Sequence, residues 1–320
     1  MRPKSASLRT RIPARPRPCW FLAATLVLLL AAEAAAAAIE VRDDSGRTVR
    51  LARPARRIVA LYGAFNEMLV GMGLAERIAA RTKADALPEA LADRPVIGTH
   101  LRPNLELIVG LAPDLVLQAG GRREAGESAA ALRRLGLPVA VFELGSFAAL
   151  FSAIERLGAL TGEPGRAEAL VGELSRRLAR VERAVAKAAR PRVFFEARYP
   201  NLLAAGQGSM VADIVRRAGG QPCVAGAKKL VRLSEEELLR LDPEVYLVQQ
   251  GPMNPAPGSP AARPHFRTLS AVRQGRVFVV DERAYSRPGP RNVDAVEELA
   301  GLLHPDLFPG RRTATAKDGR

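Results

Sequence analysis

From residue 57 onward, short blocks of consecutive apolar residues alternate with longer stretches whose apolar positions recur every three or four residues. Arg57–Leu61 (RIVAL), Pro95–Ile97, Asp114–Leu117 (DLVL) and Pro138–Phe142 (PVAVF) read as buried strands. The stretches between them, Asn66–Met72, Leu105–Gly110 and Glu127–Leu135, read as helices. Apolar strands separated by helical crossovers predict a parallel sheet covered on both faces. Ahead of them, Ile39–Leu51 predicts a hairpin that turns at Asp44-Ser45-Gly46.

The alternation restarts past residue 190. Arg192–Glu196 (RVFFE), Val245–Gln249 (VYLVQ) and Arg276–Val280 (RVFVV) predict strands; Met210–Ala218, Glu235–Leu241 and Asp294–Leu303 predict helices. Between the two patterns, Phe147–Leu160 is helical, Thr161-Gly162-Glu163-Pro164-Gly165 breaks it, and Arg166–Ala189 is helical again. Leu170, Leu174, Leu178, Val181 and Val185 form an apolar stripe with arginines between them. At 1.5 Å per residue this helix reaches about 35 Å, the width of a domain. An ordinary surface helix carries the same pattern, but a place where one α/β pattern ends and another begins favours a strut. The expected fold is therefore α/β: two lobes with mainly parallel sheets, 39–161 and 191–310, joined by a long rigid α-helix within 162–190.

The ends change the picture. Arg2, Lys4, Arg9, Arg11, Arg15 and Arg17 precede an apolar run from Trp20 to Ala32, and Ala36-Ala37-Ala38 offers a small-residue cleavage site. That order predicts a secretory signal peptide over 1–38 and a periplasmic location. The apolar run is short against the roughly 20 residues of a bilayer span, which favours cleavage over a retained anchor. Cys19 precedes the run and is badly placed for lipid attachment. Beyond it Cys223 stands alone, so no intramolecular disulfide can form in the exported chain.

The formal charge of +15 falls to about +10 once the leader is set aside, and the tail 311–320 contributes a further part of it. A basic surface suits nucleic acid or an anionic small ligand. Arginines spread over helices, together with export, point to the small ligand and to no nucleic-acid partner.

An internal echo links the halves. Asn104–Gln118 (NLELIVGLAPDLVLQ) and Ser234–Gln249 (SEEELLRLDPEVYLVQ) each place acids at a helix start, then a Pro-acid pair and a buried strand. Glu106 and Glu236 each lie seven residues before the proline. Acids in a first helical turn are favoured by the helix dipole, and Ser234 with Glu237 fits a capping box; this accounts for Glu237 better than for Glu106 and Glu236.

Arg57–Gly73 (RIVALYGAFNEMLVGMG), Pro103–Glu106 with Pro113–Val116, Gly208–Gly220 and Leu269–Asp281 resemble, in order and spacing, the class III substrate-binding proteins of bacterial ABC importers. The resemblance runs from about residue 56 to 308. It implies a monomer that captures a small-molecule metal chelate and delivers it to an ABC permease dimer in the inner membrane. One glutamate on each lobe then docks onto permease arginines, a role that falls to Glu106 and Glu236.

In open α/β lobes ligands bind beyond the carboxyl ends of the strands. The residues there are Tyr62, Thr99, His100, Arg102, Arg198, Tyr199, Tyr285, Arg287 and Arg291, and as a set they are expected to line a cleft. Each arginine taken singly also fits a plain rim position. Guanidinium forks match carboxylate or hydroxamate oxygens, so the arginines favour an iron chelate, an anionic ferric siderophore. Haem and corrinoids remain alternatives within the family; haem would need His100, Tyr62 or Tyr199 as an axial ligand. The histidines His100, His265 and His304 lie far apart, which argues against a naked-metal site. No phosphate loop or nucleophile elbow appears, and Gly206-Gln207-Gly208 lacks the rest of a dinucleotide fingerprint. No catalysis and no cofactor are expected; a metal-complex chelatase of similar fold is the enzymatic alternative.

Overall fold

The computed structural model of the protein describes residues 38–85 and 91–309. The leader expected over 1–38 and the tail 311–320 lie outside the described residues, save Ala38. β1 (Ile39–Arg42) and β2 (Thr48–Leu51) pair antiparallel. Asp43 closes their turn, its Oδ1 accepting from the Ser45 and Arg47 amides at 3.0 and 2.9 Å.

Next come β3 (Ile58–Ala60), β4 (Ile78–Ala80), β5 (Leu115–Ala119) and β6 (Val139–Phe142), all parallel in the order β4-β3-β5-β6. Helices α1 (Gly63–Gly71), α2 (Leu105–Gly110) and α3 (Arg123–Arg134) make the crossovers. Both faces are covered, and this is why the strands are apolar at consecutive positions: Ile58, Leu115 and Leu117 enter one core, Val59 and Val116 another. The expected strand at Pro95–Ile97 is only a bridge between Val96 and Arg81, and the edge is taken by Ile78–Ala80 instead. An alanine-rich triplet between arginines carries little strand signal.

The second lobe is built on β7 (Arg192–Arg198), β8 (Leu203–Ala205), β9 (Gln221–Pro222), β10 (Leu230–Arg232), β11 (Val245–Gln250) and β12 (Val277–Asp281). β7, β11 and β12 are parallel, and β9 adds parallel to β7; β8 and β10 extend the edge antiparallel, so this sheet is mixed. Gly206-Gln207-Gly208 is the tight link after β8. A Cβ on Gly206 would lie 2.2 Å from the Lys228 carbonyl, so the loop beside it admits only glycine.

Helix α4 (Phe147–Thr161) is capped by Ser146 and ends at Gly162 in the left-handed region. α5 (Pro164–Val185) follows with proline in its first turn, where a missing N–H costs nothing. Its 22 residues span about 33 Å. Leu170, Leu174, Leu178, Val181 and Val185 are buried in one apolar core that runs from Val41 to Leu303 and takes in both sheets. α6 (Met210–Arg217), α7 (Glu235–Leu241), α8 (Ser270–Arg273), α9 (Glu282–Tyr285) and α10 (Asn292–Leu303) complete the second lobe. Arg177 of α5 pairs with Asp294 and Glu297 of α10 at 2.5 and 2.9 Å, and Glu182 with Arg217 of α6 at 2.5 Å. Asp213 of α6 accepts from the Phe147 amide at 2.8 Å, tying the start of α4 to the second lobe.

Candidate functional site: a cleft between the lobes

The site starts where β3 ends. Tyr62 is the residue just before α1, and its ring lies 5.5 Å from that of His100, tilted by 60°. Burial pushes the Tyr62 hydroxyl up to about 12, and it feels charges from both lobes: Arg287 and Glu282 on one side, Glu67 and Arg122 on the other. Burial, then the cations Arg122 and Arg287, pull His100 below its usual range, so its imidazole is neutral at neutral pH. These two rings stand together beyond the carboxyl end of β3.

The facing wall is contributed by the segment after β12. Arg287 donates to the Ala84 carbonyl at 2.9 Å and sits 3.9 and 4.0 Å from carboxylate oxygens of Glu67 and Asp85. Arg291 donates to Glu67 at 2.8 Å. Both acids are buried, and Asp85 is held by the Thr82 amide and the Asn66 side-chain amide at 2.8 and 3.0 Å. The sequence placed Arg287 and Arg291 in the cleft wall as donors for a ligand. They lie at the lobe boundary, but their charge is already matched by two acids of the first lobe. The signal for Glu67 was present: Asn66-Glu67 is a polar pair in an otherwise apolar helix.

Tyr285 is different. Its ring is wholly enclosed, stacked on Phe195 at 6.1 Å, with its hydroxyl toward Glu298 at 3.4 Å. It is a core residue of the second lobe and cannot face a ligand. Tyr199 packs edge-on to Phe266, bonds Glu235 at 3.1 Å, and carries the Arg263 guanidinium 3.7 Å above its ring. These contacts pack it, half-buried, against the core around Phe194 and Tyr246. Arg198 is half-buried, with a buried Nε that has no hydrogen-bond partner among the described residues. Arg102 is exposed in the turn before α2, its amide bonded to the Thr99 hydroxyl at 3.1 Å.

Two buried glutamines were missed by the sequence reading. Gln118, at the end of β5, donates to the His100 carbonyl at 3.3 Å. Gln249, near the end of β11, donates to the Ala197 carbonyl at 3.2 Å and accepts from the Ser286 hydroxyl. Each fixes loops at the cleft end of its lobe. They occupy equivalent ends of the repeated segment, where one polar residue closes an apolar block.

Glu106 and Glu236 are equivalent in three dimensions as well. Each is exposed, second in its helix, and follows a capping side chain: Asn104 accepts from the Leu107 amide at 3.0 Å, Ser234 from the Glu237 amide at 3.2 Å. Bonds from its own backbone and from Ser234 hold the Glu236 carboxyl below the usual range. A surface concavity of about 440 Å³ lies elsewhere, between Arg47 and the α3 residues Glu127 and Arg133. It touches none of the candidate residues above; a second hollow, of about 290 Å³, is lined by Glu67, Arg177 and Arg291.

The sequence model of a family described as periplasmic binding protein matches residues 58–284. The chain belongs to that family. The periplasmic binding protein family accounts for both α/β lobes, since the match begins at β3 and ends within α9. Relatives include an uncharacterised ABC transporter substrate-binding lipoprotein, YvrC, of Bacillus subtilis (strain 168), 26% identical over 84% of this chain and 87% of that protein. A cobalamin-binding protein of Halobacterium salinarum is 26% identical over 82% of this chain and 73% of that one. Among solved structures, the periplasmic heme-binding protein RhuT of Roseiflexus sp. RS-1 superposes with a TM-score of 0.69 at 25% identity, covering 79% of this chain and 99% of that one. Members of this family are transport substrate-binding proteins, and the two-lobed α/β architecture is theirs.

Proposed function

We propose that the protein is the extracytoplasmic substrate-binding component of an ABC importer, and that its cargo is a bulky, near-neutral metal chelate of the corrinoid class. The observation that carries the cargo reading is the charge balance of the lobe boundary. Arg287 and Arg291 face Glu67 and Asp85, so the two arginines best placed to take a ferric siderophore already have buried partners. What remains at the cleft is the Tyr62–His100 ring pair, apolar faces with polar edges, with the exposed Arg122 as the cation near it. The cobalamin-binding relative supports the same choice of class. The anionic siderophore expected from the arginines remains the competing reading, and Arg102 and Arg198 are the residues that favour it.

Release into the permease would use Glu106 and Glu236, one exposed carboxylate per lobe at matching positions. Titration calorimetry of the exported chain with cyanocobalamin, haemin and an anionic ferric siderophore tests the cargo. Saturable binding of cyanocobalamin alone is expected; binding of the siderophore alone overturns the corrinoid assignment. Glu106→Ala/Glu236→Ala is expected to abolish uptake through the cognate permease with the binding isotherm unchanged.

A further inference from the structure

The acids beneath the cleft hold more negative potential than their partners use. Asn66, Glu67 and Asp85 are all buried, and one oxygen of each, Asn66 Oδ1, Glu67 Oε1 and Asp85 Oδ1, accepts no hydrogen bond from the described residues. Arg287 stands beyond hydrogen-bonding distance from both carboxylates, at 3.9 and 4.0 Å, while Arg291 bonds only the other oxygen of Glu67. The arrangement is closely enforced. A Cβ at Gly63 would fall 1.8 Å from Asp85 Oδ1 and 3.2 Å from the Arg287 guanidinium, so glycine there lets the acid and the arginine approach. Burial raises the Glu67 carboxyl against the pull of Arg291, which shows how little solvent shares its charge.

We propose that Glu67 and Asp85 are specificity residues that bar multiply charged anionic chelates from the cleft by keeping Arg287 and Arg291 occupied. An anion that pulls Arg287 toward itself draws it away from two buried carboxylates. Those carboxylates would then be left undercompensated where water cannot reach them, and an isolated buried charge is strongly unfavourable. The buried acceptor oxygens beneath would also repel it. A near-neutral chelate disturbs none of these pairs. Specificity of this kind is a penalty on the wrong partner more than an attraction for the right one.

This deepens the corrinoid reading and rests on it only for the identity of the favoured cargo. The test measures dissociation constants for cyanocobalamin and for a trianionic ferric tris-catecholate, using the exported chain and its Asp85→Asn and Glu67→Gln variants. Cooperative melting of each variant establishes that it is folded. In either variant the ratio of the two constants is expected to move toward the trianion by about tenfold or more. Adding Arg287→Ala to Asp85→Asn should remove the gain, which a merely structural role for Asp85 would not predict. Equal affinity of the unsubstituted protein for both chelates, or an unchanged ratio in both folded variants, overturns the proposal. If no form binds cyanocobalamin yet the variants gain the trianion, the filter stands and the corrinoid reading fails.

Discussion

Arg263→Met should cost the protein a large part of its stability, and the structure says why. Glu196, fully enclosed in the middle of β7, receives both arms of Arg263 at 2.5 and 2.9 Å and the Tyr246 hydroxyl at 2.6 Å. The same guanidinium bonds the Gly258 carbonyl at 3.0 Å and covers the Tyr199 ring. It thereby ties the proline-rich loop between β11 and α8 to the sheet. Removing one member of a buried pair leaves the other charged and unpaired, a loss of about 3–5 kcal/mol. Loss of the stacking over Tyr199 adds about 1 kcal/mol. Against a total stability of about 5–15 kcal/mol this is a severe defect.

Urea unfolding followed by circular dichroism measures it. The informative comparison is Glu196→Gln/Arg263→Met, which removes the orphaned charge but keeps an acceptor for Tyr246. The double variant should recover about 2 kcal/mol relative to Arg263→Met, the signature of direct coupling between neighbours. A loss below about 1 kcal/mol in the single variant, or no recovery in the double, would refute the account of a buried, mutually dependent pair.

Three further outcomes follow from other parts of the fold. Leu174→Ala, in the middle of the strut stripe and 3% exposed, should lower unfolding stability by about 2–5 kcal/mol through the cavity it opens; a change under about 1 kcal/mol would mean that the stripe does not bind the lobes together. Burial holds His100 and His304 below their ordinary value of 6.5, so protonation favours the unfolded chain. Their contribution to stability is complete above that value and is lost as pH falls below it. The melting temperature should therefore drop between pH 7 and 5, and His100→Gln/His304→Gln should lessen the drop. Burial pushes the Cys223 thiol up to about 12, so alkylation of the native protein by iodoacetamide at pH 8 should be far slower than that of the urea-unfolded chain; equal rates would show that the thiol is open to solvent.

The sequence alone determined the elements that depend on local chemistry. Helices over Leu105–Gly110 and Glu235–Leu241 have the limits expected of them, because capping residues and a following proline mark both ends. The central strands were legible as unbroken apolar blocks, since a strand covered on both faces has no polar face to show. The long amphipathic stripe gave the strut, and the repeated segment gave the matched positions of Glu106 and Glu236.

Tertiary structure decided what depends on encounters between distant residues. Arg287 and Arg291 look like free cations along the chain; that Glu67 and Asp85 meet them across more than two hundred positions follows only from how the lobes pack. Tyr285 sits beyond a strand end, where ligand residues gather, yet a short helical turn, α9, directs its ring into the core. The short strands Ile78–Ala80, Leu203–Ala205 and Leu230–Arg232 escaped detection because a three-residue strand owes its conformation to the neighbours it pairs with, not to its own residues. Local propensity and periodicity fix the elements. Burial, by setting what each charge can afford to face, fixes the site.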